Sequence, residues 1–118
     1  MRHDPRAWLW DAREAAAAIA EFTAGMDLER YRANRLVRAA VERQFEIIGE
    51  ALNQLSRRAP DLTARIPELR AILAFRNLLI HGYASVDDAI VWRTVTEKLP
   101  ALHEALDNLL AELGSPDT

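Results

Sequence analysis

The sequence contains no cysteine among its 118 residues. That absence excludes disulfide bonds, thiolate catalysis and zinc sites built on cysteine, and it fits a reducing compartment. No apolar run approaches the roughly 20 residues that a membrane-spanning helix needs. The opening MRHDPRAWLW also lacks the apolar block of a secretory signal. We therefore expect a cytoplasmic protein that makes no membrane contact.

Glycine and proline are also scarce, at four and five residues, whereas half of the residues are hydrophobic. This balance favours helices, and the chain is long enough to bury one core. We expect a single helical domain over residues 1–114 and a flexible tail over 115–118. The three histidines are far apart and no glycine-rich phosphate loop occurs. We therefore expect neither a metal site nor a cofactor.

Lysine is nearly absent as well, since arginine supplies fourteen of the fifteen basic residues. The net charge of −3 is unevenly distributed. Residues 86–118 hold seven acidic residues against two basic ones, whereas residues 1–85 hold eleven acidic against thirteen basic ones. A local basic groove is therefore compatible with the sequence, but a broadly basic surface is not.

Apolar residues recur at steps of three and four along four segments, which predicts helices. Asp4 precedes the first segment as an N-cap, and Pro100 should kink or split the last one near residues 96–99. Short connections predict an all-α protein, an up-and-down four-helix bundle. One extra short helix is expected at 62–66, before a helix that Pro67 opens. The clearest stripe is Val41, Phe45, Ile48, Leu52 and Leu55.

The segment LRAILAFRNLLIHGY, residues 69–83, carries a permanent cation, Arg76, within its apolar stripe. Such a cation has to pair with a carboxylate, stay hydrated at an interface or hold an anion. Asn77 and His81 share a face because they are four residues apart. Gly82 can end the helix so that His81 and the tyrosine after it turn toward the guanidinium. These residue types suit a phosphate and a proton transfer. The stripe is Leu69, Leu73, Arg76, Ile80 and Tyr83.

This order of residues, Arg76-Asn77, three apolar residues and His81-Gly82-Tyr83, resembles the signature of the HEPN superfamily, and in particular of its HepT-like toxins. The similarity covers most of residues 27–110. Glu68 and Ala74 depart from the family, which often has Trp and Gly there, and this affects local packing more than chemistry. Further matching segments are Ile48-Gly49-Glu50-Ala51, Ile66-Pro67, Val86-Asp87, Val91-Trp92 and Leu99-Pro100.

The resemblance implies a HEPN-like homodimer in which two copies of the motif face each other across a two-fold axis. It implies a metal-independent endoribonuclease, the toxin of a type II/VII-like toxin–antitoxin module, with tRNA or mRNA as substrate. It also implies a partner, a minimal nucleotidyltransferase antitoxin that neutralises the toxin by attaching AMP to Tyr83. The added bulk and negative charge would block the site, by the same logic as phosphorylation.

Roles for the other residues follow from the chemistry of RNA, whose 2′-hydroxyl lies beside the scissile phosphate. His81 is the candidate catalytic acid or base near neutral pH, and Arg76 is the catalytic cation that holds the phosphate. Asn77 would support them by orienting His81 or a phosphate oxygen. Glu50 would support them by forming an ion pair with Arg76 or by orienting His81. One histidine does not readily serve as base and acid in one step, which favours a contribution from a second copy.

Two other interpretations of these residues remain open. Arg76, His81 and Tyr83 can form a buried polar network without a catalytic role. A HEPN-like domain can also be a non-catalytic scaffold or nucleotide-binding partner of a minimal nucleotidyltransferase. A cluster of arginines has two interpretations too, a solvent-exposed face, which we favour, or the path of RNA. Its members are Arg30, Arg32, Arg35, Arg38 and Arg43.

Overall fold

The computed structural model of the chain describes residues 4–82 and 86–114. All regular structure in these ranges is helical, which confirms the predicted all-α class. The predictions for the tail at 115–118 and for Tyr83 lie outside the described residues. None of the described helices is both long and apolar enough to cross a membrane.

The helices begin and end largely where local chemistry predicts. Asp4 accepts a hydrogen bond from the backbone N–H of Arg6, so the first helix begins at Pro5 as expected. Gly114, with φ +88, follows the end of the last helix. The elements are α1 (Pro5–Phe22), α2 (Leu28–Ala33), α3 (Arg35–Arg58), α4 (Pro60–Thr63), α5 (Leu69–His81), α6 (Asp88–Arg93), a π-helical segment (Thr94–Lys98) and α7 (Leu99–Leu113).

The long helix α3 forms the centre of the core, with α1 and α5 packed against it and α7 packed against α1. Each large apolar side chain that becomes fully buried contributes about 1.5–3 kcal/mol relative to an exposed one. Phe45 of α3 meets Phe75 of α5 edge to face, with ring centroids 5.0 Å apart. Every position of the predicted α3 stripe is buried: Val41, Phe45, Ile48, Leu52 and Leu55.

Pro100 divides the last helical segment, as the sequence predicts. Proline has no N–H for a helical hydrogen bond and its ring crowds the preceding turn. The chain accommodates it with the π-helical segment Thr94–Lys98, in which the N–H of Leu99 donates to the carbonyl of Thr94, five residues earlier. The helix then continues as α7.

Two boundaries near α5 differ from the prediction. The extra short helix spans Pro60–Thr63 rather than 62–66, because its proline fits the first helical turn. The prediction that α5 begins at Pro67 is wrong, since it begins at Leu69. Glu68 has φ +61, in the left-handed region, so a helix cannot run through it from Pro67 into α5.

The buried stripe of α5 is also displaced from the predicted one. Ile72, Phe75 and Leu79 are buried, whereas Ile80 is 37 % exposed and Arg76 is half-buried. The prediction failed because α5 is apolar around most of its circumference, so more than one stripe with helical spacing fits the sequence. Arg76 therefore lies at the margin of the core rather than within it.

Candidate functional site

The position of Arg76 depends on the absence of a side chain at Gly49 of α3. A Cβ built on Gly49 would lie 2.3 Å from both Cβ and Cγ of Arg76. Any larger residue would displace Arg76 or separate α3 from α5. This glycine of the Ile48-Gly49-Glu50-Ala51 segment therefore allows the stem of Arg76 to lie directly against α3.

The guanidinium of Arg76 is held by one carboxylate and one amide. Its Nη2 donates to Oε2 of Glu50 at 2.6 Å, and its Nη1 donates to Oδ1 of Asn77 at 3.3 Å. The side chain of Arg76 is 23 % exposed and that of Glu50 is 52 % exposed. The predicted ion pair between Glu50 and Arg76 is thus present. Such partly exposed pairs contribute only about 0–1 kcal/mol to stability.

Arg76 retains donors that the described residues do not use. A guanidinium has more N–H groups than the two that bind Glu50 and Asn77. Its Nε is buried and has no partner among the described residues. A buried donor without an acceptor costs about 1–3 kcal/mol. A closed polar network would require every donor of Arg76 to have an acceptor. Within the described part of the fold, Arg76 does not meet this requirement.

His81 is the last residue of α5, and its side chain is exposed. It follows Arg76 by five residues, which corresponds to about 140° around a helix and about 7.5 Å along it. Gly82 caps the helix with φ −122, and His81 keeps a helical backbone; the turn of its side chain toward the guanidinium stays a prediction. One copy of α5 therefore presents Arg76 and His81 on different faces.

The outward face of α5 carries Asn77 together with His81, four residues apart as predicted. Asn77 contacts Arg76 as well, so it lies between the cation and the exposed face. Tyr83, the third member of the predicted cluster, lies outside the described residues. Within residues 4–82 and 86–114, no three His, Asp or Glu side chains come together as candidate metal ligands.

A polar cleft of about 250 Å³ opens beside Arg76, between α3 and α5. Asn53 and Arg57 line it from α3, and Arg76 and Asn77 line it together with Leu73 from α5. Two cations and two amides thus face one cleft. The two α3 residues were not predicted from the sequence. The available signal was their spacing of four and eight positions after the glycine of α3, which follows one helix face.

A second group of polar residues joins α6 to α2 and α3. Arg38 donates to Asp88 at 3.4 Å, and the hydroxyl of Tyr31 is buried with no partner among the described residues. Burial raises the pKa of Glu42, and the nearby Asp88 raises it further. Arg38 therefore has a structural contact. The other members of the arginine cluster are exposed, as favoured: Arg30, Arg32, Arg35 and Arg43.

Comparison with known proteins agrees with the motif. The family model "Ribonuclease HepT-like" matches residues 12–109. A probable ribonuclease HepT of Thermococcus cleftensis is 34 % identical over 109 residues, which cover 92 % of this chain and 98 % of that protein. A candidate RNase of Methanocaldococcus jannaschii is 32 % identical over 108 residues, which cover 90 % of this chain and 96 % of that protein. No solved structure matches the chain significantly.

Proposed function

The chain belongs to the HepT-like ribonuclease family, and from that membership we propose that it is a metal-independent endoribonuclease, the toxin of a toxin–antitoxin module. The observation that carries the proposal is the placement of Arg76. Its half-buried guanidinium has spare donors and is fixed by Glu50 beside a polar cleft. A fixed cation of this kind suits the charge that develops on a phosphate during cleavage.

The proposed reaction is a transfer within the RNA strand. The 2′-oxygen attacks the adjacent phosphorus and the bond from phosphorus to the 5′-oxygen breaks, which leaves a 2′,3′-cyclic phosphate and a 5′-hydroxyl. A base takes the proton of the 2′-hydroxyl, and an acid gives a proton to the 5′-oxygen. We assign these proton transfers to His81, the phosphate contact to Arg76, and the orientation of His81 or of a phosphate oxygen to Asn77.

We further propose that the active form is a homodimer, so that each proton transfer has its own histidine. The different faces of Arg76 and His81 on α5 support this, because one helix does not direct both side chains at one phosphate. A two-fold axis beside the outward face of α5 would bring a second copy of the motif to the first. That face is exposed along α5 at Arg70, Ala74, Asn77, Leu78 and His81.

Cleavage of a fluorophore- and quencher-labelled RNA by the purified chain, in the presence of EDTA, tests the enzyme. We expect Arg76→Ala and His81→Ala each to lower kcat/KM by at least about a hundredfold, with unchanged circular dichroism. His103→Ala is the matched control, since that histidine lies on α7 beside Asp107 at 3.6 Å. A wild-type chain that binds a nucleotidyltransferase but cleaves no RNA would instead support the scaffold function.

Mixed dimers test the requirement for two histidines. When wild-type and His81→Ala chains are denatured together and refolded at different ratios, activity should fall with the square of the wild-type fraction. A linear fall would mean that one histidine is sufficient for each site. Light scattering at working concentration should give the mass of a dimer, and a monomer with full activity would contradict the proposal.

Neutralisation by AMP transfer to Tyr83 is the remaining part of the proposal. In the sequence Tyr83 directly follows Gly82 and lies two positions after His81, so we expect bulk and negative charge added there to block access of RNA. Incubation with ATP and a cognate minimal nucleotidyltransferase should add the mass of AMP and abolish cleavage. Tyr83→Phe should remain unmodified and active, and unchanged modification of that variant would exclude this tyrosine as the target.

A further inference from the structure

We propose that Asn53 and Arg57 form a second phosphate subsite, which holds a phosphate neighbouring the one bound by Arg76. This inference rests on the proposed function, because its ligand is the backbone of the RNA substrate. The two residues are four apart on α3, so they share a face. Both line the polar cleft that Arg76 and Asn77 line from α5.

The charge of Arg57 is available for a ligand. Its side chain is exposed, and none of the described residues forms a hydrogen bond or ion pair with it. Its neighbour Arg58 differs, because its guanidinium lies over the ring of Trp8 at 5.9 Å. Arg65 also differs, since it binds Glu112. Among the described residues, Arg57 therefore has no partner that fixes its guanidinium, and the residue lines the cleft.

The cleft combines the groups that bind an anion. Arg57 and Arg76 bring two positive charges to its wall, and no acidic residue among the described ones lines it. Guanidinium forks match phosphate oxygens in geometry, and the amide of Asn53 adds N–H donors. The volume of about 250 Å³ is several times the roughly 30 Å³ that a water molecule takes in the liquid. Glu50 already pairs with Arg76 at 2.6 Å, so the charge of Arg57 is the one in the cleft that no carboxylate of the described residues balances.

The arrangement also extends the RNA path in a defined direction. The contact of Arg76 with α3 is at Gly49, and Asn53 and Arg57 follow on the same face toward the end of that helix. A strand whose scissile phosphate lies at Arg76 would therefore continue along α3. The arginine cluster near the start of α3 lies in the opposite direction, so it does not belong to this path.

Binding of a fluorescein-labelled, fully 2′-O-methylated RNA oligonucleotide tests the subsite, because that RNA cannot be cleaved through a 2′-hydroxyl. Measured by anisotropy at several salt concentrations, Arg57→Gln should weaken binding about tenfold. It should also reduce the slope of log K against log salt by about 0.7, the value for one phosphate contact on a single strand. Arg35→Gln is the matched control, since Arg35 is an exposed arginine of α3 about 33 Å away along the helix.

A second variant places a negative charge in the cleft without changing the size of the side chain. Asn53→Asp should weaken binding at least as much as Arg57→Gln, whereas Asn108→Asp, at an exposed asparagine of α7, should not. In the cleavage assay Arg57→Gln should raise KM more than it lowers kcat. Equal affinity and salt slope for Arg57→Gln and Arg35→Gln would overturn the subsite.

The outcomes separate this inference from the proposed function. If the wild-type chain cleaves RNA but Arg57→Gln behaves as Arg35→Gln does, only the subsite is wrong. If the RNA binds in a manner that depends on Arg57 but no RNA is cleaved, the nuclease is wrong and the subsite remains. If the methylated RNA does not bind at all, the subsite is overturned and the cleavage assay alone decides on the enzyme.

Discussion

Gly49→Ala is the substitution that most directly links the packing of this fold to its proposed chemistry. The new Cβ would lie 2.3 Å from two atoms of Arg76, whereas ordinary contacts begin at 3.4 Å, so one side must move by roughly 1 Å. Overpacking costs about 1–3 kcal/mol, and replacing glycine by alanine within a helix returns about 1 kcal/mol. The free energy of unfolding should therefore fall by about 0–2 kcal/mol, which lowers Tm by at most roughly 8 °C.

The expected effect on cleavage is larger than the effect on stability. A displacement of about 1 Å of a group that holds the reacting phosphate can cost roughly a hundredfold in rate. We therefore expect Gly49→Ala to lower kcat/KM by about a hundredfold at 25 °C, where the variant is folded. Cleavage of the labelled RNA and thermal unfolding followed by circular dichroism measure the two effects on one sample.

A double-mutant cycle identifies Arg76 as the cause. Arg76→Gly removes all three side-chain atoms that the new methyl group would meet, Cβ, Cγ and Cδ. In that background Gly49→Ala should no longer destabilise the fold and should instead stabilise it through the higher helix propensity of alanine. An equal loss of stability in both backgrounds would refute the reasoning. Cleavage of RNA by the Gly49→Ala variant at the wild-type rate would also refute the reasoning.

Three further predictions follow from other contacts. Glu50→Gln should lower kcat roughly tenfold because Arg76 loses the charged acceptor that orients it, with a change in Tm of only a few degrees in scanning fluorimetry; an unchanged kcat would deny Glu50 this role. Phe75→Ala should cost about 3–5 kcal/mol in urea unfolding, since it leaves a cavity against Phe45, and a loss below about 1 kcal/mol would contradict this packing. Because burial raises the pKa of Glu42 above its usual 4.5, the ionised carboxylate destabilises the fold at neutral pH and this cost disappears as the pH falls below that value. Glu42→Gln should thus raise Tm at pH 7 and not near pH 4, and an equal difference at both pH values would contradict the shift.

The features of the fold that were predicted correctly from the sequence are those determined by residues close together in the chain. The cap at Asp4, the stripe of α3 and the break at Pro100 each depend on neighbouring residues in one segment. The start of α5 depends on tertiary structure instead. Glu68, its N-cap residue, has a left-handed conformation, and its side chain accepts no hydrogen bond from the backbone N–H groups of the helix. Its carboxylate accepts a hydrogen bond from Lys98 at 3.0 Å instead. Such a contact across the fold has no signal within the segment itself.

The site shows the same division between local and tertiary information. The ion pair of Arg76 and Glu50 was predictable because Glu50 belongs to the Ile48-Gly49-Glu50-Ala51 segment that resembles the HepT-like family. The presence of Asn53 and Arg57 in the cleft was not predictable, because it depends on how α5 is placed along α3. The position of α5 along α3 is set by the fit of the Arg76 stem against Gly49. A glycine within a helical pattern does not by itself reveal which residue packs against it.

The margin of the core suits the catalytic role proposed for Arg76 better than the centre of the core would. A fully buried guanidinium loses several kcal/mol of hydration, which its attraction to one carboxylate does not reliably return. At 23 % exposure Arg76 keeps part of its hydration, and its apolar stem covers the groove left by Gly49. The stem is fixed by packing while the residue lines the cleft. In the proposed reaction the cation would thus be in place before RNA arrives, so that little reorganisation would be needed when the phosphate acquires its extra charge.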